Sequence, residues 1–262
     1  MRIITNADDF GMDEDTVRAT IECLDAGALT SATIMPNMPG TAAAAAYARG
    51  RPDRSFGVHL TYVTDTVEAP LVPPAQVPTL AGPHGRFRPS QEVRVAALRG
   101  RLSVADVERE TAAQIQRLLD LGVRVSHVDS HGHLHKFGPF RAALANVLPR
   151  FGIRRVRAVQ NVYLDRPLRS PTYWFGPWWR RRVAAAFDTT PDFFMPISGT
   201  GDTTWPDRLL ARLPAGPAGG PIEVGVHPGY AEPWRDAERR AVRAFADAAR
   251  ARGHELVPWD RA

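Results

Sequence analysis

Asp8, Asp9, His59, Asp129, His131 and His227 each stand at, or just past, the C-terminal end of a short apolar run. No other feature limits the fold as strongly. Residues so far apart in sequence meet when the strands that carry them run parallel and end along one edge, where α/β folds gather their functional groups.

Strand and helix signals alternate along the whole chain. A strand over residues 2–6 precedes a helix over 13–26 that Gly27 stops. A strand over 31–35, an alanine-rich helix over 41–49 and the run Phe56-Gly57-Val58 ending at His59 follow. Residues 62–101, rich in Pro, Gly and Arg, read mostly as loop. Ser103-Val104-Ala105-Asp106 resembles a capping box with Asp in place of Glu, opening a helix that runs to Leu121. A histidine-rich strand over 124–130, a helix over 139–150 and a strand over 154–159 come next. After an irregular aromatic segment, a strand over 192–196, a helix over 205–213 and a Gly/Pro/Ala connector over 215–221 lead to the strand 222–226. A helix over 235–252 and a strand over 255–258 complete the pattern. Seven or eight βα repeats without a break in composition predict one domain over residues 1–262, a TIM-barrel-like (β/α) barrel of seven or eight parallel strands. An open doubly wound sheet working on nucleotides would carry a Gly-rich phosphate loop after the first strand. Asp8-Asp9-Phe10-Gly11 is the opposite, because carboxylates repel phosphate.

Composition removes several function classes. No apolar run approaches the ~20 residues of a bilayer span, and the N-terminal residues are unlike a secretory signal, so a cytoplasmic location is expected. Cys23 is the single cysteine, which rules out an internal disulfide. The formal charge of +5 comes almost wholly from arginine, Lys136 being the only lysine. Apart from Arg180-Arg181-Arg182 the arginines are scattered and accompany no nucleic-acid module, so a nucleic-acid partner is not expected. A homodimer is compatible with these features.

The stretch His127-Val128-Asp129-Ser130-His131-Gly132-His133-Leu134-His135 holds four of the chain's eight histidines. In an extended strand side chains alternate between faces, so His127, Asp129 and His131 share one. Imidazoles and a carboxylate on one face suit a divalent metal. If the chain stays extended, His133 and His135 share that face too, and either could replace His131. Asp8 and Asp9 are costly to place side by side without a cation or a proton. Adjacent residues at a strand end point in different directions, so one ligand and one base is the natural division, and the order could be reversed.

Asn6-Ala7-Asp8-Asp9-Phe10-Gly11, Gly57-Val58-His59-Leu60, the run from His127 to His135 and His227-Pro228-Gly229-Tyr230 together resemble the YdjC-like (ChbG/HpnK) carbohydrate deacetylases. The resemblance implies a TIM-barrel-like metal-dependent hydrolase that removes acetyl groups from N-acetylated sugars, oligosaccharides or glycoconjugates. It implies His59 and His131 as metal ligands. By analogy with the wider polysaccharide deacetylases it implies Asp9 as the third ligand and Asp8 as the base. Imidazole and carboxylate suit Zn²⁺, whereas Mg²⁺ is associated with the family, so the cofactor is one divalent ion of either kind. Another metal-barrel hydrolase, acting on a phosphoester or cyclic amide, and a non-catalytic sugar binder are the alternatives.

His227 is the expected proton donor to the leaving amine, against a purely structural role at its Pro-Gly turn. Asp129 is expected to orient a ligand. His127, His133, His135 and Tyr230 are assigned to supporting or substrate contacts, while His84 and His254 read as surface residues. Trp174, Trp178 and Trp179, followed by Arg180-Arg181-Arg182, fit three readings: a helix packing its tryptophans inward, a sugar-stacking surface or a membrane contact.

Overall fold

The computed structural model of the chain describes residues 1–168, 170–214 and 220–262, so most of the connector expected over 215–221 lies outside the described residues. Its strands are β1 (Arg2–Phe10), β2 (Ser31–Ile34), β3 (Ser55–Leu60), β4 (Val125–Ser130), β5 (Asp192–Phe194), β6 (Ile222–Val226) and β7 (Glu255–Leu256). Every pairing is parallel, in the order β4-β3-β2-β1-β6-β5, and β7 joins the start of β1. Parallel strands need helices on their outer face. The helices are α1 (Glu14–Asp25), α2 (Thr41–Arg49), α3 (Ser90–Leu98), α4 (Val104–Asp120), α5 (Gly138–Val147), α6 (Pro171–Ala184), α7 (Trp205–Leu210) and α8 (Pro233–Ala251), of which α3 packs on α5 and α6 on the turn after β4.

The sheet curls but does not close, which corrects the expected barrel. Between β4 and β5, residues 154–162 make only isolated bridges, Val128 with Val156, Arg155 with Asp188 and Val162 with Phe194. A parallel ladder needs evenly spaced bonds along both strands. Here the bonds to β4 end with Arg157 N–H donating to Val128, and those to β5 begin at Asn161 and Val162. The strand expected over 154–159 is therefore a strap across an open half-barrel.

Local sequence explains the elements around the sheet. Asp13 caps α1 by accepting from Thr16 N–H at 2.8 Å, and Thr16 Oγ1 in turn accepts from Asp13 N–H at 3.1 Å. Ser103 caps α4, but the box closes through a relay. Ser103 N–H donates to Thr79 Oγ1, which donates to Asp106. In α8, Ala237, Ala241, Val242, Phe245, Ala246 and Ala249 are buried at helical spacing. Phe245 packs against Trp205 of α7 with ring centroids 5.2 Å apart, and Phe245→Ala costs about 3–5 kcal/mol. Helix α3 arises inside the expected loop 62–101, because only Val93 and Ala97 form its buried stripe. The aromatic segment is helical as well, as α6. His84 is exposed as expected, but His254 is buried beneath the N-terminus.

Candidate functional site

Asp8 and Asp9 part at the end of β1. The β1–β2 register slips between Ala7 and Phe10, and Asp9 has a left-handed backbone, φ 57°. A bulge with such a residue re-aims side chains at some cost in strain. Asp9 turns toward His59 Nε2 at 3.3 Å and His131 Nδ1 at 3.0 Å, and its second oxygen accepts from Arg235 at 2.8 Å. Asp8 turns the other way, where Arg157 donates to both its oxygens at 2.5 and 2.6 Å.

Arg157 is the hub beneath the site. It is fully buried and also reaches Asp129 at 2.6 Å and Glu223 at 2.8 Å. Burial alone would raise the Asp8 pKa, but the guanidinium overrides it and holds Asp8 well below the usual carboxylate range. Glu223, in the middle of β6, is pushed by burial up to about 7 despite Arg157. A partly protonated Glu223 lets one guanidinium balance Asp8 and Asp129.

His59 is fixed at both nitrogens. Its Nδ1 lies 2.7 Å from Asp129 Oδ1, while Asp129 Oδ2 accepts from Thr33 Oγ1 at 3.0 Å. Burial disfavours the charged rings, yet the surrounding carboxylates raise His59 to about 10 and His131 to about 9. His131 also meets Asp65 at 2.7 Å through its Nε2.

Two overlapping groups have donor atoms close enough to share a cation, Asp9-His59-His131 and Asp8-His59-Asp129. Arg157 already fills the second with its own charge. The first presents one carboxylate oxygen and two imidazole nitrogens, a donor set that suits a divalent ion. The Asp129 contact to the far nitrogen of His59 is the kind of support that orients a metal-binding imidazole. The residues present therefore fit one divalent ion.

His227 stands just past β6. Its N–H donates to Glu238 Oε2 at 2.7 Å, and its Nδ1 lies 3.2 Å from the same oxygen. Burial would lower the ring's pKa, but Glu238 outweighs it and holds the ring above its ordinary value. A Cβ at Gly229 would sit 3.0 Å from Arg235, closer than ordinary packing, so a larger residue there would push on the arginine that holds Asp9. Tyr230 is not brought to the cluster. Its hydroxyl bonds Glu22 on α1, and its ring is held between Arg18 and Arg239.

The histidine run does not stay extended. β4 ends at Ser130, and a 3-10 turn over His131–Lys136 follows, with φ 63° at Gly132 and 54° at His133. His133 and His135 therefore cannot take the place of His131. His135 meets Ser130 at 2.9 Å and is lowered by burial to about 3, and His133 packs against Phe193. His127 lies deeper in β4, stacked on Trp259 at 4.7 Å. A Cβ at Gly57 would lie 2.8 Å from that ring, so the glycine before His59 makes room for His127.

Sequence reasoning missed Arg157, Arg235, Glu223, Glu238, Thr33 and Asp65. Glu223 offered a signal, a carboxylate inside the run Ile222-Glu223-Val224-Gly225-Val226. The arginines had none in a chain so rich in them. Beside the cluster, a cavity of about 530 Å³ runs from Gly132 and His133 past Lys136 and Gln160 to Phe194 and Ile197.

A family model described as YdjC-like protein matches residues 2–257. A carbohydrate deacetylase of Geobacillus stearothermophilus is 32% identical over 227 residues, covering 87% of this chain and 79% of its own length. A carbohydrate deacetylase of Listeria monocytogenes serotype 4a (strain HCC23) is 37% identical over 231 residues, covering 88% and 82%. Among solved structures, a protein of Enterococcus faecalis V583, provisionally described as a cellobiose-phosphate cleavage protein, shares the fold. Its TM-score is 0.77 at 22% identity, over 99% of this chain and 98% of that one.

Proposed function

The chain belongs to the YdjC-like family, and from that membership we propose that it is a metal-dependent hydrolase removing an acetyl group from an N-acetylated sugar, oligosaccharide or glycoconjugate. The observation that carries the reading is the convergence of Asp9, His59 and His131 beside a separately held Asp8. The names of the relatives that match most of the chain, carbohydrate deacetylases, support it.

In this reading Asp9, His59 and His131 hold one divalent ion, Mg²⁺ or Zn²⁺. Such an ion would supply Lewis-acid chemistry there, lowering the pKa of a water and polarising the acetamide carbonyl. Asp8 takes the proton of the attacking water; Arg157 keeps Asp8 ionised, and in doing so lowers its basicity. His227, kept protonated by Glu238, gives its proton to the departing amine as the C–N bond breaks. Asp129 holds the His59 ring in one orientation, and Arg235 holds the Asp9 carboxylate. His127 and His135 act as buried supports, and His133 faces the substrate cavity.

The test is acetate release from N-acetylated mono- and oligosaccharides, with added divalent metal and with chelator. Release that chelator stops is expected. Phosphate release without acetate, or sugar binding without turnover in the presence of metal, overturns the reading.

A further inference from the structure

We propose that the outer face of α6, continued by Leu168 and Ile197, docks this protein onto an anionic lipid surface. The proposal does not depend on the hydrolase reading. Trp174, Phe175 and Trp178 are 63%, 58% and 52% exposed. They fall on one stripe at helical spacing, which Arg181 and Arg182 continue. The opposite side is anchored, since Trp179 and Val183 are buried and Trp179 packs against Phe137 at 5.3 Å. The three aromatics thus face outward although a buried side was available to the same helix.

Leu168 and Ile197, 58% and 65% exposed, extend the apolar area. Both border the cavity region, Ile197 in its wall with Pro167 and Ser170. The sequence from Arg166 to Phe187 contains no Asp or Glu. Among the described residues, none of Arg180, Arg181 and Arg182 pairs with a carboxylate, and Arg182 lies over the Trp178 ring at 4.3 Å. An outward aromatic stripe with arginines at its end is the pattern of a helix lying in a membrane interface, where rings enter the headgroup region and cations meet anionic lipid. A second copy of the chain fits less well, because a two-fold contact sets the same patch against itself and would bring arginines together. Pro167, Ser170 and Ile197 line the cavity that reaches His133, so the docking face adjoins the cavity.

The full chain is mixed with phosphatidylcholine vesicles with or without phosphatidylglycerol and sedimented, while tryptophan emission is followed. Expected are co-sedimentation and a blue shift with phosphatidylglycerol, and about tenfold weaker partition without it or in high salt. W174S/F175S/W178S abolishes partition and leaves the thermal unfolding midpoint within a few degrees of wild type. R180Q/R181Q/R182Q removes the preference for the anionic vesicles. The proposal is overturned if the wild type stays in the supernatant, if the aromatic variant still sediments, or if light scattering shows a dimer that the aromatic variant dissolves.

Discussion

Arg157 donates to both oxygens of Asp8, at 2.5 and 2.6 Å, and the same guanidinium reaches Asp129 and Glu223. One buried cation therefore contacts three carboxylates, on β1, β4 and β6, and ties the strap 154–162 to the sheet. It also separates the two aspartates. Asp8 is held by an internal charge, which leaves Asp9 to face the histidines.

Removing that cation leaves Asp8, Asp129 and Glu223 buried without the charge that balances them. Arg157→Met is expected to cost about 3–5 kcal/mol. Glu223→Gln, at a group that burial already places near 7, should cost less than about 1 kcal/mol. Asp8 has a depressed pKa, so its pairing stabilises the fold above the ordinary carboxylate range and is lost as pH falls. The gap between wild type and Arg157→Met should therefore narrow in acid. Urea unfolding of both variants at neutral and acid pH checks this; equal midpoints for Arg157→Met and wild type at neutral pH would refute it.

The three proposed ligands should separate from the groups around them in a binding measurement. Asp9→Ala and His131→Ala are expected to abolish measurable binding of Zn²⁺ or Mg²⁺ by calorimetry. Asp129→Asn, which weakens the hold on the far side of His59 and the Arg157 pair but removes no proposed ligand, should weaken binding about 10–100-fold. Unchanged affinity in His131→Ala would move the ion elsewhere.

Much of this site was legible because its chemistry sits at strand ends. Asp8, Asp9, His59, Asp129, His131 and His227 follow apolar runs, and parallel strands deliver their ends to one place. That the barrel stays open was not legible. Whether residues 154–162 pair continuously depends on where an inward-pointing Arg157 finds its carboxylates, which strand propensity does not contain. The turn at Gly132 and His133 broke the two-residue period that made His133 and His135 look interchangeable with His131. Arg235 and Glu238 were hidden in a helix whose outward face is also rich in charge.

Asp8→Asn separates base from ligand. The variant should bind metal with little change and lose about 10²–10⁴-fold in turnover on any accepted acetylated sugar. Full turnover in Asp8→Asn would assign the proton to another group. Loss of metal along with turnover would exchange the roles of Asp8 and Asp9.

Metal and protons should compete. His59 near 10 and His131 near 9 both carry a proton at neutral pH in the absence of a cation, and a ligating nitrogen must be neutral. Binding should release protons, and affinity should rise with pH until those rings deprotonate unaided. Calorimetry at pH 7 in two buffers of different ionisation enthalpy reads the release directly. The same apparent enthalpy in both buffers would mean that these rings do not bind the ion.

The His227–Glu238 pair makes the last prediction, in the pH profile. As the proton donor His227 must be charged, so kcat/KM should fall as pH rises through its pKa, which Glu238 holds above the ordinary histidine value. Glu238→Gln keeps the shape and one hydrogen bond but removes the charge. The ring then loses its proton at lower pH, so the alkaline limb should move down while the acid limb stays in place. His227→Ala should remove that limb and leave a slow reaction. An alkaline limb unmoved in Glu238→Gln would mean that another group supplies the proton and that His227 only anchors the turn after β6.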